Sequence, residues 1–211
     1  MGIADSKHFL HLVRAAAANP RAGPQAWADA SGVPKATAYR LLRPFRFHGA
    51  ITGMKADPRR VLHLAANLRK DRVVPYTTIF RERYLTAITA PNAKAQLAFQ
   101  SAANAYGFFE ESVKTVRIDP QNRHEILPGI TASASLQSDS QWPILESKRR
   151  PLAVVYMEDL SRFPQPTRME DTLVSDPFIT YMDLLSHPRA GAHAEFFDAV
   201  MVRSGLLPER P

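Results

Sequence analysis

In the stretch Gly32 to Phe45, GVPKATAYRLLRPF, the residues Lys35, Thr37, Tyr39, Arg40 and Arg43 occupy outward positions of a helix. The inward stripe of that helix is Ala38, Leu41, Leu42 and Phe45, spaced i, i+3, i+4, i+7. Cations and polar groups on one face of a helix suit recognition of a polyanion. The major groove of B-DNA is wide enough to admit a helix. Arg40 is placed to pair with a guanine edge, and Tyr39 and Thr37 to meet a thymine methyl group or a phosphate. Lys35, near the helix N-terminus, suits the phosphate backbone, with the helix dipole adding to its attraction. Lys55, Arg59 and Arg60 follow closely. They are expected near the tip of a hairpin, reaching phosphates or a minor groove.

Other residue sets point to other chemistries. Asp139, Glu146 and Lys148 have the acid then Glu-x-Lys spacing of some metal-dependent nucleases. Such a site needs carboxylates converging on Mg²⁺ from a strand. Pro143 and the run Lys148-Arg149-Arg150-Pro151 read as a loop instead. Phosphoryl transfer has no G-x-x-x-x-G-K-[ST] and no G-x-G-x-x-G to build on. A nonstandard site using ATP and Mg would draw on Lys148, Arg149 and Arg150 for phosphates and on Glu158, Asp159 or Asp176 for metal. A solvated basic turn and helix-capping acids are the preferred reading of those residues. His8 and His11, and His187 and His193, lie outside any H-E-x-x-H pattern, and no Ser/His/Asp set is recognisable from spacing. No metal site and no cofactor are expected outside the ATP alternative.

The chain that must position these groups has 211 residues, 45 % of them hydrophobic, enough to bury a core. It contains no cysteine, which excludes disulfides and thiolate-metal sites. The first residues lack the basic-then-apolar pattern of a secretory signal, and no run approaches the roughly 20 apolar residues of a membrane span. The expectation is a cytoplasmic protein with no membrane partner. The net charge is +7, unevenly distributed. Residues 1–75 carry 13 Lys+Arg against 4 Asp+Glu; the remainder carries 14 against 16. An excess confined to the first third fits a polyanion-binding module joined to a near-neutral one.

Periodicity places the elements. A helix is expected from Ser6 to about Ala18, and a short one over Gln25–Ala30 closed by Gly32, which accepts a left-handed turn. Pro34 suits the start of the next helix, and Pro44 is expected to kink or end it after Arg43. Ile51 and Met54 suggest a first short strand, Asp57-Pro58 a turn, and Val61, Leu62 and Leu64 a second strand. This order is that of a winged helix-turn-helix over 1–75. A mixed α/β domain is expected over 76–211, making the whole chain α+β. It should contain a helix over Ala93–Tyr106, strands over Ser112–Ile118 and Leu152–Met157, and two C-terminal helices. In the first of these helices Phe178, Tyr181, Met182 and Leu185 form an apolar stripe, with Asp176 as N-cap ahead of Pro177.

AWADASGVPKATAYRLLRPFRFHGAI closely resembles the helix-turn-helix of bacterial transcription regulators, most nearly the IclR group. VSDPFITYMDLLSHPRAGAHAEFF, Val174 to Phe197, resembles the C-terminal signature of AbiEi-type antitoxins of type IV toxin–antitoxin systems. AFQSAANAYGFF and LAVVYMEDL are similar to the small-residue helix and core strand of that family. The resemblance implies an autorepressor that binds double-stranded operator DNA and neutralises a cognate nucleotidyltransferase-like toxin. It leaves two alternatives open: a kinase-like enzyme that modifies the toxin, and a stand-alone, ligand-responsive transcription regulator.

Overall fold

The computed structural model describes residues 3–69, 75–89, 95–107, 113–127, 152–187 and 191–209. The chain divides into two compact units. The first comprises Met1–Lys70, Ser161–Pro164 and Pro177–Pro211; the second comprises Asp71–Leu160 and Gln165–Asp176.

The first unit begins with a 3-10 turn, Ile3–Asp5, and helix α1 (Phe9–Ala18), so the helix starts three residues beyond Ser6. α1 buries Phe9, Leu10, Leu12 and Val13 together with Ala15, Ala16 and Ala17. Helix α2 (Gly23–Ser31) buries Trp27, whose indole N–H donates to the Asn19 carbonyl at 2.7 Å. It ends at Gly32 in the left-handed region, φ 65°. Helix α3 spans Lys35–Phe47 and therefore runs through Pro44 rather than ending at Arg43. Proline removes one intrahelical bond. Burial of Leu41, Leu42 and Phe45 on the same face holds both sides of the interruption in one helix.

Strands β1 (Ile51–Thr52) and β2 (Lys55–Ala56) form a two-residue antiparallel hairpin. The expected second strand at 61–64 is instead part of helix α4 (Pro58–Arg69). Asp57 explains the difference. Its carboxylate accepts from the Arg60 backbone N–H at 3.1 Å, and Pro58 follows at the first helical position. Val61, Leu62, Ala65, Ala66 and Arg69 are then buried at helical spacing, which alternation would not allow.

The second unit contains β3 (Pro75–Ile79), α5 (Glu82–Thr89), β4 (Ala95–Leu97), α6 (Phe99–Ala105), β5 (Lys114–Ile118), the one-turn α7 (Arg123–Ile126), β6 (Ala153–Met157), β7 (Thr167–Met169) and β8 (Thr172–Val174). The six strands make one mixed sheet, ordered β3-β6-β5-β4-β8-β7. β5 runs parallel to β6 and β4 parallel to β8; the other neighbours are antiparallel. The helix expected over 93–106 is a strand followed by a short helix. Ala95, Gln96 and Leu97 pair with Ile118, Arg117 and Val116, so sheet contacts override the helix preference of an alanine-rich segment. Extended Ala98 separates the two elements, and left-handed Phe99, φ 49°, opens α6. One sheet face packs Ile79, Ala95, Val116, Ile118, Ala153 and Val155 against Ile88 of α5 and Ile126 of α7. The alternate residues Thr115, Arg117 and Tyr156 face α6.

The C-terminal helices α8 (Pro177–Ser186) and α9 (Gly191–Arg203) belong to the first unit. A division of the chain at residue 75 is accordingly redrawn, because 177–211 groups with 1–70. α8 is buried over Phe178–Leu184 and at Ser186, while Leu185 is half-buried, so the expected single stripe is replaced by burial on nearly every side. Two ion pairs join these helices to α4. Arg69 donates to Asp183 at 3.2 Å, with side chains 5 % and 0 % exposed. Arg59 pairs with Asp198 at 2.7 Å, and the Tyr181 hydroxyl donates to the same carboxylate at 3.1 Å. The fold is α+β. Among the described residues no helix is long and apolar enough to cross a membrane.

Removing one member of a buried ion pair strands the other charge. Asp183→Ala is expected to destabilise the protein by about 3–5 kcal/mol in urea unfolding followed by circular dichroism. The double substitution Arg69→Met with Asp183→Leu should cost less than Asp183→Ala alone; an equal or larger loss would show that the pair contributes through its charge rather than by avoiding an orphan.

Candidate nucleic-acid interface

The turn between α2 and α3 is fixed from within. Val33 is buried and its N–H donates to the Ala28 carbonyl at 2.9 Å, which sets the angle at which α3 leaves Gly32. The inward stripe Ala38, Leu41, Leu42 and Phe45 is buried as the spacing predicts. The opposite face is therefore presented to solvent. Lys35, Arg40, Arg43 and Arg46 are exposed on it, and no carboxylate occurs between Lys35 and Phe47. Thr37 is half-buried at the edge, and Tyr39 is exposed. The Arg46 guanidinium lies 5.3 Å from the Tyr39 ring centroid, a cation–π contact that steadies both side chains.

The hairpin is held against the start of α2. The Ala56 N–H donates to the Pro20 carbonyl at 2.8 Å. Met54, at the hairpin turn, lies so close to Gly23 that a β-carbon there would collide with it; Gly23 also has φ 85°. Of the three cations expected at the hairpin tip, only Lys55 is on the hairpin, exposed at the start of β2. Arg59 and Arg60 lie in the first turn of α4. Arg60 is exposed, 3.5 Å from Asp57. The Arg59 side chain is only 16 % exposed and bidentate on Asp198, at 2.7 and 3.2 Å. Its charge is neutralised within the fold. The candidate interface thus gathers Lys35, Tyr39, Arg40 and Arg43 on one helix face, with Lys55 on the adjoining hairpin.

Sequence reasoning missed Arg46 and Phe47 because it ended the helix at Arg43. Continuing the 3.6-residue period through Pro44 finds them: Arg46 is i+7 from Tyr39, and Phe47 is i+4 from Arg43. Phe47 is 85 % exposed and its ring meets His48 edge-on at 5.1 Å.

The acidic candidates of the second unit have a different setting. Glu158 accepts from Arg117 Nε at 2.6 Å, and Arg117 Nη1 donates to Ser175 Oγ at 3.0 Å. Gln96 Nε2 also donates to Ser175 Oγ. The Arg117 side chain is fully buried with its guanidinium 5.6 Å from the Phe99 ring centroid, and Phe99 stacks on Tyr156 at 4.4 Å. This network ties β4 and β5 to the ends of β6 and β8. Asp176 is buried next to Ser175, and Asp159 is exposed. Lys148, with Asp139, Glu146, Arg149 and Arg150, lies outside the described residues. Among the described residues no group of three or more His, Asp or Glu side chains is placed to hold a metal ion.

The Tyr106 hydroxyl donates to the Ser175 carbonyl at 2.8 Å and lies 3.4 Å from Thr167 Oγ1. Burial raises its pKa above the ordinary 10.0, and the nearby Asp176 charge acts in the same direction, against the Thr167 hydrogen bond.

No protein-family model, curated protein or solved structure matches this chain.

Two outcomes follow from these settings. Arg59→Ala should lower the urea midpoint by leaving Asp198 buried with its main partner gone, while an exposed cation such as Lys55 should be replaceable by alanine with little change. For Tyr106 the folded pKa is the higher one, so the unfolded chain loses its proton first as pH rises. Stability should be intact below about pH 10 and fall as pH climbs toward the folded value. Tyr106→Phe should flatten that alkaline slope; an unchanged slope between the two proteins would contradict the assignment.

Proposed function

We propose that this chain is a DNA-binding antitoxin that represses its own operon. Its first unit acts as a winged helix-turn-helix, with α3 in the major groove and the β1–β2 hairpin as a short wing. The observation that carries this reading is the exposed face of α3, with Lys35, Arg40, Arg43 and Arg46 and no carboxylate. A buried apolar stripe on one side and unneutralised cations on the other suit a helix that docks on phosphates and reads base edges. The charge balance agrees with it. Residues 1–70, 161–164 and 177–211 together carry 16 Lys+Arg against 7 Asp+Glu, leaving 11 against 13 for the second unit.

In this reading Arg40 pairs with guanine O6 and N7. Lys35, Arg43, Lys55 and Arg60 contact phosphates, and Arg59 belongs to the scaffold. Neutralisation of a nucleotidyltransferase-like toxin rests on the resemblance of Val174–Phe197 to AbiEi-type antitoxins. Tyr181 and Asp183 of that segment have structural partners in Asp198 and Arg69, so the residues of the signature support the fold rather than supply a catalytic group. A cytoplasmic location accords with both activities. Of the acidic candidates for the enzyme alternative, Glu158, Asp159 and Asp176, the Glu158 carboxylate is engaged by Arg117.

Gel shift on the sequence immediately upstream of the coding region tests the first half. Arg40→Ala is expected to cost ~1–3 kcal/mol and relax specificity at one base pair. Arg43→Ala should weaken all sequences alike and lower the salt slope by about one. Equal binding to upstream and unrelated duplexes would defeat the repressor reading. For the second half, co-expression should relieve the toxicity of a neighbouring nucleotidyltransferase-like gene. After incubation with ATP and Mg²⁺ the toxin should keep its mass; a mass gain of one phosphoryl group would favour the modifying enzyme instead.

A further inference from the structure

Phe47 ends α3 with its ring 85 % exposed, the most exposed large hydrophobic side chain among the described residues. It adds nothing to the core formed by the opposite face of α3. At 100° per residue it falls on the same line as Ala36, Arg40 and Arg43, at the centre of the solvent face, with Arg46 beside it. Aromatic and arginine side chains also occur together in protein interfaces, but the helix carries four cations and no carboxylate from Lys35 to Phe47, which favours an anionic surface. The matching surface must be anionic around an isolated apolar spot. The major groove has that composition: phosphates on both rims and, on its floor, the C5-methyl of thymine.

We infer that Phe47 is a specificity-determining residue that packs its ring on a thymine methyl group. This rests on the DNA-binding reading above and adds a second base position to it. Seven residues separate Arg40 from Phe47. At 1.5 Å rise per residue that is about 10 Å along the helix, or roughly three base-pair steps of 3.4 Å. The thymine therefore lies about three base pairs from the guanine read by Arg40.

The experiment compares the protein and Phe47→Ala on the upstream duplex, prepared with thymine or with deoxyuracil, which lacks only the methyl group. Because Phe47 is exposed, the variant should keep the circular dichroism and melting of the parent. The parent should bind the deoxyuracil duplex about fourfold more weakly for each methyl group that Phe47 contacts, the worth of one buried methyl-sized group. In Phe47→Ala that penalty should vanish; any share due to Tyr39 or Thr37 persists, so the difference between the two proteins is the measured quantity. Single thymine replacements should place the Phe47-dependent position about three base pairs from the Arg40-dependent one. Equal penalties in both proteins, or a change of sedimentation in Phe47→Ala, would overturn the inference, the latter by making this face a self-association surface. Failure of the parent to prefer the upstream duplex before any thymine is changed would defeat the repressor reading itself, and this inference with it.

Discussion

A guanidinium taken out of water costs several kcal/mol unless a carboxylate and further hydrogen bonds receive it. Arg69 stands at the end of α4 with its side chain 5 % exposed, and Asp183 receives it from a position wholly enclosed in α8. The rest of the first unit depends on that exchange. α8 is buried on almost every side, an environment that would reject an unpaired Asp183. α4 in turn would reject Arg69. Each helix therefore makes the other's sequence tolerable, and Arg59, Asp198 and Tyr181 repeat the arrangement one helix further along. The pairs also set register: a helix whose charged partners must meet has little freedom to slide.

This constraint sorts the basic residues of the first unit into two groups. Arg59 and Arg69 have their charges neutralised inside the fold. Lys35, Arg40, Arg43 and Arg46 are on a helix that carries no acidic residue, and their charges remain available to a partner in solution. Net charge alone makes no such distinction. A count of cations overstates the set available to an anionic partner, because an arginine paired with a carboxylate within hydrogen-bond distance adds little net charge to its surroundings.

The second unit applies the same rule to a sheet. Arg117 alternates inward between Val116 and Ile118, on the face opposite the apolar core, where its charge meets Glu158 and its plane faces Phe99. The neighbouring Gln96 and Ser175 complete a buried polar layer across four strands. Phe99, in a backbone conformation that β-carbons disfavour, packs against Tyr156 and Arg117, which are neighbours on β6 and β5. A layer of this kind contributes specificity of pairing, since a slipped strand would leave several of these groups without partners.

The sequence by itself determined what neighbouring residues can decide. The apolar stripe of α3, the left-handed Gly32, the strand at 153–157 and the helices α8 and α9 all follow from short-range period and turn chemistry. The α3 face proposed to meet DNA was legible for the same reason, up to the point where Pro44 was read as an end. Asp57 and Pro58 begin the helix over 61–64 locally, and the neighbouring helices then bury its apolar face. Tertiary structure decided what depended on distant residues. The segment at 95–97 became a strand because β5 offered it hydrogen bonds. The fate of Arg59 was set by Asp198, 139 residues away, and that of Arg69 by Asp183, 114 residues away. Charge is visible in a sequence, but its solvation is not. Solvation depends on what the fold brings against each side chain, and it separates a cation available for binding from one that holds helices together.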